Sequence, residues 1–114
     1  MTFPRRGEIY WVNLDPTMGT EIAKTRPAII ISNDIGNEHS ARLIVAPITS
    51  SNTAKVYPFE VSIASGEGGL SQASKVVLDQ IRALDKQRLG QRLGSLSGER
   101  MREVDSAIRR SLAL

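Results

Sequence analysis

From Glu8 to Leu14 the chain reads Glu-Ile-Tyr-Trp-Val-Asn-Leu and then meets Asp15-Pro16. β-Branched and aromatic residues suit a pleated, half-buried surface and Asp-Pro favours a turn, so the run predicts a strand. Thr17 to Thr25 has no consistent period and carries Gly19, which predicts a long connection of the kind that contacts ligands. Pro27 bars the α region to the residue before it, so Arg26-Pro27 predicts a strand entrance and Ala28 to Ser32 a buried strand. Asn33 to Ser40, with Gly36 inside it, predicts a turn. Arg42 to Thr49 predicts a third strand, with Pro47 near its end, and the polar run Ser50-Ser51-Asn52-Thr53 takes the chain off the sheet.

Phe59-Glu60-Val61-Ser62-Ile63 alternates apolar and polar side chains, the mark of a strand with one face buried. Gly66 to Gly69 predicts a flexible loop, and Lys75 to Leu84 one strand or two short ones. Asp85 can cap a short helix carrying Leu89 and Leu93. Ser97 can cap a longer one, in which Met101, Val104, Ile108 and Leu112 recur at helical spacing and Asp105 and Arg109 fall on the solvent side. The expected fold is mainly β, a compact, SH3-like, partly open antiparallel barrel with one short and one longer helix. Neither a repeat nor a dividing linker interrupts residues 1–114, so a single domain is expected.

Composition narrows the chemistry. The chain has no cysteine and one histidine, His39, so thiol nucleophiles, zinc-thiolate sites and two-histidine constellations are excluded. No metal or other cofactor is expected. The longest aliphatic run, Ala28-Ile29-Ile30-Ile31, is far too short to span a bilayer, and the first residues lack the apolar core of a signal peptide, so a cytoplasmic protein with no membrane partner is expected. A net charge of +3 favours polyanionic partners only weakly.

A site can be sought from strand geometry. If the second and third strands form a hairpin through Asn33 to Ser40 they run antiparallel, and the start of one lies beside the end of the other. Arg26 and Thr49 then become neighbours at one rim, close to Ser50. A guanidinium stays charged and grips two phosphate oxygens at once, and a threonine hydroxyl adds a short directed hydrogen bond, so the pair could hold a phosphate and stabilise charge building on it. An arginine before a strand is more commonly a solvated rim residue, and spacing alone does not decide.

Read in order, Arg6-Gly7-Glu8-Ile9-Tyr10-Trp11, Arg26-Pro27 before an aliphatic strand, Asn33-Asp34-Ile35-Gly36-Asn37, Pro47-Ile48-Thr49, and Val76-Val77-Leu78-Asp79-Gln80-Ile81-Arg82 running on to Leu89 resemble the MazF/PemK-type toxins along nearly the whole chain. The resemblance implies a metal-independent endoribonuclease of a type II toxin–antitoxin system. It would cleave single-stranded RNA by attack of a ribose 2′-hydroxyl on the adjacent phosphorus and leave a 5′-hydroxyl. It also implies a homodimer with RNA across the shared groove, held inactive by an antitoxin whose acidic segment covers the same surface.

Carried over by matching position, the resemblance makes Arg26 and Thr49 the catalytic pair, with Ser50 a helper at the phosphate. Gly19, Thr20, Glu21, Asp79 and Gln80 would line the RNA groove, where amides and carboxylates can read unpaired base edges. Some relatives carry an arginine where this chain has Val77, so a shared Arg/Asp arrangement is not expected. His39 is read as surface and Trp11 as core or dimer interface. Two alternatives are a gyrase poison of the same fold, whose C-terminal tryptophan motif is missing from Ser111-Leu112-Ala113-Leu114, and a binding module without catalysis.

Overall fold

The computed structural model describes residues 2–114; Met1, the first residue of the expected domain, lies outside them. The strands are β1 (Glu8–Asn13), β2 (Thr25–Ile30), β3 (Arg42–Thr49), β4 (Glu60–Ile63), β5 (Ser74–Val77), β6 (Arg82–Asp85) and β7 (Leu89–Ser95), with helices α1 (Asp34–His39) and α2 (Gly98–Leu112). Strands pair antiparallel in the order β4-β5-β3-β2-β1-β7, and β6 joins β3.

β3 organises this sheet. Its first half pairs β6, from Arg42↔Asp85 to Val45↔Arg82, and its last two residues pair β5, at Ile48↔Val76 and Thr49↔Lys75. Its other flank pairs β2. A strand that takes two partners in succession along one flank must bend, and the bend curls the sheet into a barrel. The barrel stays open because the outermost strands, β4 and β7, do not bond to each other. The expected fold class therefore holds.

The opening is bridged by a short turn, Glu67–Gly69, that follows β4 and packs on β7. Gly69 sits at φ +80°, and a Cβ there would lie 2.0 Å from the Leu93 carbonyl oxygen. On the facing strand, a Cβ on Gly94 would lie 2.6 Å from the Gly68 carbonyl carbon. Both sides of the contact therefore require a bare main chain.

Successive residues of β2 point to opposite faces, and both are buried: Ile29 joins Ile9, Ile48, Val61, Ile63, Val76 and Leu78 in the main core, and Ile30 joins Val12, Leu14, Ala28, Leu43, Val45 and Leu84 in a second cluster. α2 covers the main core with Val104 and Ala107, and Met101 and Ile108 pack beside them. Ser97 caps α2 by accepting the Arg100 N–H at 3.2 Å, as expected. Leu112, by contrast, is half-exposed beyond the edge of the core. Asp105 is no solvated charge either: its carboxylate takes the Arg6 guanidinium at 2.6 Å, while Arg6 Nε donates to the Ile31 carbonyl.

Two elements depart from expectation. Asn33 to Ser40 contains a helix, α1, as well as its turn. Asn33 caps it by accepting the Gly36 N–H at 2.7 Å, and the fully buried Asn37 donates to the Ser32 carbonyl at 2.8 Å and to Asp34 at 3.2 Å. So short a helix has little stability of its own, and the buried asparagine supplies the tertiary anchor that propensity does not register. The short helix expected after Asp85 is only the three-residue turn Lys86–Arg88, and Leu89 and Leu93 belong to β7. Residues four apart share a face in both a helix and a strand, so that spacing was ambiguous. Gly90 and Gly94 decide it, since glycine weakens a helix and here lets β7 pass close to Trp11 and to the Gly68–Gly69 turn. Lys75 to Leu84 resolves into two strands.

Candidate functional site

The β2–β3 ladder, whose opposing residues are Ile30↔Val45, Ile29↔Ala46 and Ala28↔Pro47, runs toward Arg26 on one strand and Thr49 on the other. Extended one alternate step past its last pair, the same register would set Arg26 opposite Thr49 on the face that carries Ala28 and Pro47. Arg26 is half-buried, and its Nε donates to the Ala23 carbonyl at 2.9 Å. Among the described residues its two Nη groups have no hydrogen-bond partner, so the fork is anchored at its root and free at its tip. Thr49 Oγ1 accepts the Ser51 N–H at 3.1 Å, which leaves its hydroxyl proton available to an external acceptor.

Beside this rim lies a cavity of about 600 Å³ whose lining includes Thr20, Glu21, Pro47, Asp79, Gln80 and Arg82. Four of the residues suggested for the groove thus share one concavity, between the β1–β2 loop and the β5–β6 turn. Gly19 is exposed at φ +58° and shapes the loop at this edge. Ser50 is exposed and lines a separate groove of about 380 Å³ with Trp11, Arg26, Pro27, Ile48 and Leu93. Arg26 therefore borders one groove while Pro47, which pairs with Ala28 in the same ladder, borders the other.

The β1–β2 loop is held from below by contacts the sequence did not announce. Gln80 Oε1 accepts the Ile22 N–H at 2.7 Å, so its carbonyl end fixes the loop and only its NH₂ remains for another partner. Arg82 donates to the Leu14 carbonyl at 2.8 Å, and Arg88 donates to the carbonyls of Asn13 and Asp15. Glu21 Oε1 accepts the Met18 N–H at 2.6 Å inside the loop. Asp79 is exposed at the turn.

On the other side of Thr49, β5 presents Lys75, whose side chain is only 7% exposed. It is ion-paired with Glu60 at 3.0 Å and donates to the Lys55 carbonyl at 3.0 Å. A lysine in a strand looks solvated on the page of a sequence. Only the fold-back of the Ser50–Phe59 segment over this face makes it a buried charge.

Groups whose titration the fold displaces hold elements together. The Arg100 fork, then the Ala64 N–H, keep the Glu67 carboxyl below its usual range, and the same pairing pushes the Arg100 guanidinium up. The Arg6 N–H does the same for Asp34, tying the N-terminal segment to α1. Burial, then the Glu8 carboxylate, raises Tyr10, against the pull of Arg92.

Among the described residues, no three His, Cys, Asp or Glu side chains are grouped to hold a metal, and no helix is long and apolar enough to cross a membrane. His39 lies at the surface beside Glu38, as expected. Trp11 does not enter the core: it is 40% exposed, because its position on β1 faces the groove it shares with Pro27. Val77 is buried.

The family described as PemK-like, MazF-like toxin of type II toxin–antitoxin system matches residues 5–112. Over 111 residues the chain is 45% identical to the endoribonuclease MazF of Staphylococcus saprophyticus, a span that covers 96% of this chain and 92% of that protein. It is similar in structure to MazF from Deinococcus radiodurans, with a TM-score of 0.84, 29% identity and 100% of each chain covered. A mycobacterial endoribonuclease in complex with its cognate antitoxin gives a TM-score of 0.81 at 26% identity, covering 97% of this chain and 96% of that one.

Proposed function

The chain belongs to the PemK-like, MazF-like toxins of type II toxin–antitoxin systems and is an endoribonuclease; from that premise we propose that it cuts single-stranded RNA without a metal, through Arg26 and Thr49. The reading is supported chiefly by a guanidinium that is anchored at Nε, free at both Nη groups among the described residues, and carried on a strand whose register, extended past Ala28↔Pro47, leads to Thr49. In the reaction the 2′-oxygen bonds to the adjacent phosphorus while the bond from phosphorus to the 5′-oxygen breaks. The 2′-proton leaves to a base and a proton reaches the departing 5′-oxygen. The products are a 2′,3′-cyclic phosphate and a 5′-hydroxyl. Arg26 is no base at neutral pH, so its part is to draw the phosphate oxygens and hold the charge that builds on them and on the leaving oxygen. Thr49 donates to a phosphate oxygen and fixes the phosphorus, with Ser50 close by.

Flanking nucleotides lie in the cavity between the β1–β2 loop and the β5–β6 turn. There Gly19 admits the chain, and Thr20, Glu21, Asp79 and the NH₂ of Gln80 offer donors and acceptors to unpaired base edges. An antitoxin is the protein partner, as relatives solved with their antitoxins support. We further propose a cytoplasmic homodimer, in which RNA crosses both copies. The test is incubation of purified protein with RNA in excess EDTA, followed by mapping of 5′ ends. Cuts bearing 5′-hydroxyls are expected, and they disappear with Arg26→Ala. Activity lost to chelator and restored by magnesium, or full cleavage by Arg26→Ala, contradicts the proposal.

A further inference from the structure

The Ser50–Phe59 segment leaves the sheet at Thr49 and folds back over the catalytic face. Thr49 pairs with Lys75 and Lys75 with Ser62, so Lys75 shares the face of Thr49. Its Nζ reaches the Lys55 carbonyl, so that segment lies on this face too. Glu60 completes the clamp: its Oε1 accepts the Tyr57 N–H at 3.0 Å, and its own N–H donates to the Tyr57 carbonyl at 2.9 Å. Both main-chain groups of Tyr57 are thereby fixed.

What the clamp presents is an aromatic surface with a cation beside it. Tyr57 is 43% exposed, and its ring is stacked on Phe59 with centroids 5.4 Å apart and planes 2° from parallel. Lys55 Nζ lies 5.0 Å from the centre of the Tyr57 ring. Glu60 is neutralised by Lys75, and among the described residues no carboxylate pairs with Lys55. The platform therefore carries an uncompensated positive charge. A rigid ring with a basic neighbour is the arrangement by which proteins hold single-stranded nucleic acid, one base on the ring and its phosphate on the cation.

We propose that Tyr57 and Lys55 form a stacking subsite for one unpaired nucleotide of the RNA, on the Thr49 side of the cleaved bond. The inference rests on the endoribonuclease reading and extends it. Phe59 backs the Tyr57 ring. Lys55, held by a weak contact on a flexible stem, swings from the ring to the phosphate when the base arrives. The Lys75–Glu60 pair is the positioning device, since it ties this platform to the strand next to Thr49.

Cleavage should be measured for wild type, Tyr57→Ala, Tyr57→Phe and Lys55→Ala on two RNAs around the same cut: one about ten nucleotides long, and one trimmed to the two nucleotides that flank the bond. On the long RNA, Tyr57→Ala should lose about 5- to 150-fold in kcat/KM, while Tyr57→Phe stays within about twofold. On the trimmed RNA all variants should equal wild type. Lys55→Ala should reduce the slope of log(kcat/KM) against log salt by about 0.7, one phosphate contact. Wild-type melting behaviour of each variant excludes misfolding. If Tyr57→Ala cuts the long RNA as well as wild type does, the subsite is refuted while the nuclease stands. A loss confined to inhibition by the antitoxin refutes it in favour of a protein-docking role. A wild-type protein that cuts no RNA removes both.

Discussion

Replacing Arg26 by lysine and by alanine separates what the side chain does for the fold from what it does at the phosphate. Among the described residues its one side-chain hydrogen bond, Nε to the Ala23 carbonyl, is half-buried. Such a bond contributes about 1 kcal/mol, and in a domain of this size that corresponds to a fall of roughly 4 °C in Tm. The catalytic loss should be far larger. Removing one preorganised donor from a developing oxyanion costs about 10²- to 10³-fold in rate, and an arginine that grips a phosphoryl transition state contributes about 10³- to 10⁵-fold. Arg26→Ala should therefore lose at least about 100-fold in single-turnover cleavage with a melting point only a few degrees lower. Lysine keeps the charge, but it has no Nε to bond Ala23 and no planar fork to aim at two oxygens. Arg26→Lys should stay within about tenfold of the alanine variant. The assay is single-turnover cleavage of a fluorogenic oligoribonucleotide, beside thermal melts followed by circular dichroism. A lysine variant within about threefold of wild type would mean that a point charge suffices. A melting point lowered by more than about 10 °C would mean that Arg26 is chiefly structural.

Other consequences follow from the scaffold. Gly69→Ala would put a Cβ on the Leu93 carbonyl oxygen at a positive φ, and neither backbone can yield; strain and overpacking together predict about 2–5 kcal/mol of destabilisation, seen as a fall of roughly 10–20 °C in Tm, and an unchanged melt would show that the turn moves freely. Asn37→Ala leaves the Ser32 carbonyl and hydroxyl without their buried partner, so about 1–3 kcal/mol should be lost in urea unfolding, and a loss under about 0.5 kcal/mol would show that water replaces the amide. Glu67 and Asp34 have lowered folded midpoints, so the unfolded chain takes up protons first; their contribution is fully present above about pH 4.5 and disappears as pH falls through those midpoints. Stability should therefore drop in acid, and Glu67→Gln should flatten part of that drop; an acid limb unchanged by the substitution would refute the coupling to Arg100.

Where the chain's local chemistry speaks with one voice, the fold was legible from it. β3 runs from Arg42 to Thr49 as expected, because an apolar run with Pro47 near its end meets the polar Ser50–Thr53. Ser97 announced α2. The antiparallel register of β2 against β3 was expected and is found, and β2 begins only one residue before Arg26. Illegible features were those that long-range contact decides. Leu89 and Leu93 suit either period until β1 offers an edge. Asn37 appears a turn residue until Ser32 arrives beneath it, and Trp11 reads as core or dimer interface until its face of β1 is known. Lys75, Glu60, Lys55 and Tyr57 are unremarkable letters that become one assembly only when a loop returns over its own strands. Even Gln80, suggested as a reader of bases, has its carbonyl committed to the Ile22 N–H, which no spacing could reveal.

The glycine contact between the Glu67–Gly69 turn and β7 also bears on how the protein resists aggregation. An unfinished barrel leaves two outer strands, and a bare outer strand is a template onto which other chains can crystallise. β1 occupies one flank of β7, and the turn seated against Leu93 and Gly94 blocks approach to the other, fastened there by the double grip of Arg100 on Glu67. The molecule can thus keep its mouth open with the β7 margin covered, and a mutation that lifts this latch should reveal itself first as clumping and only later as lost activity.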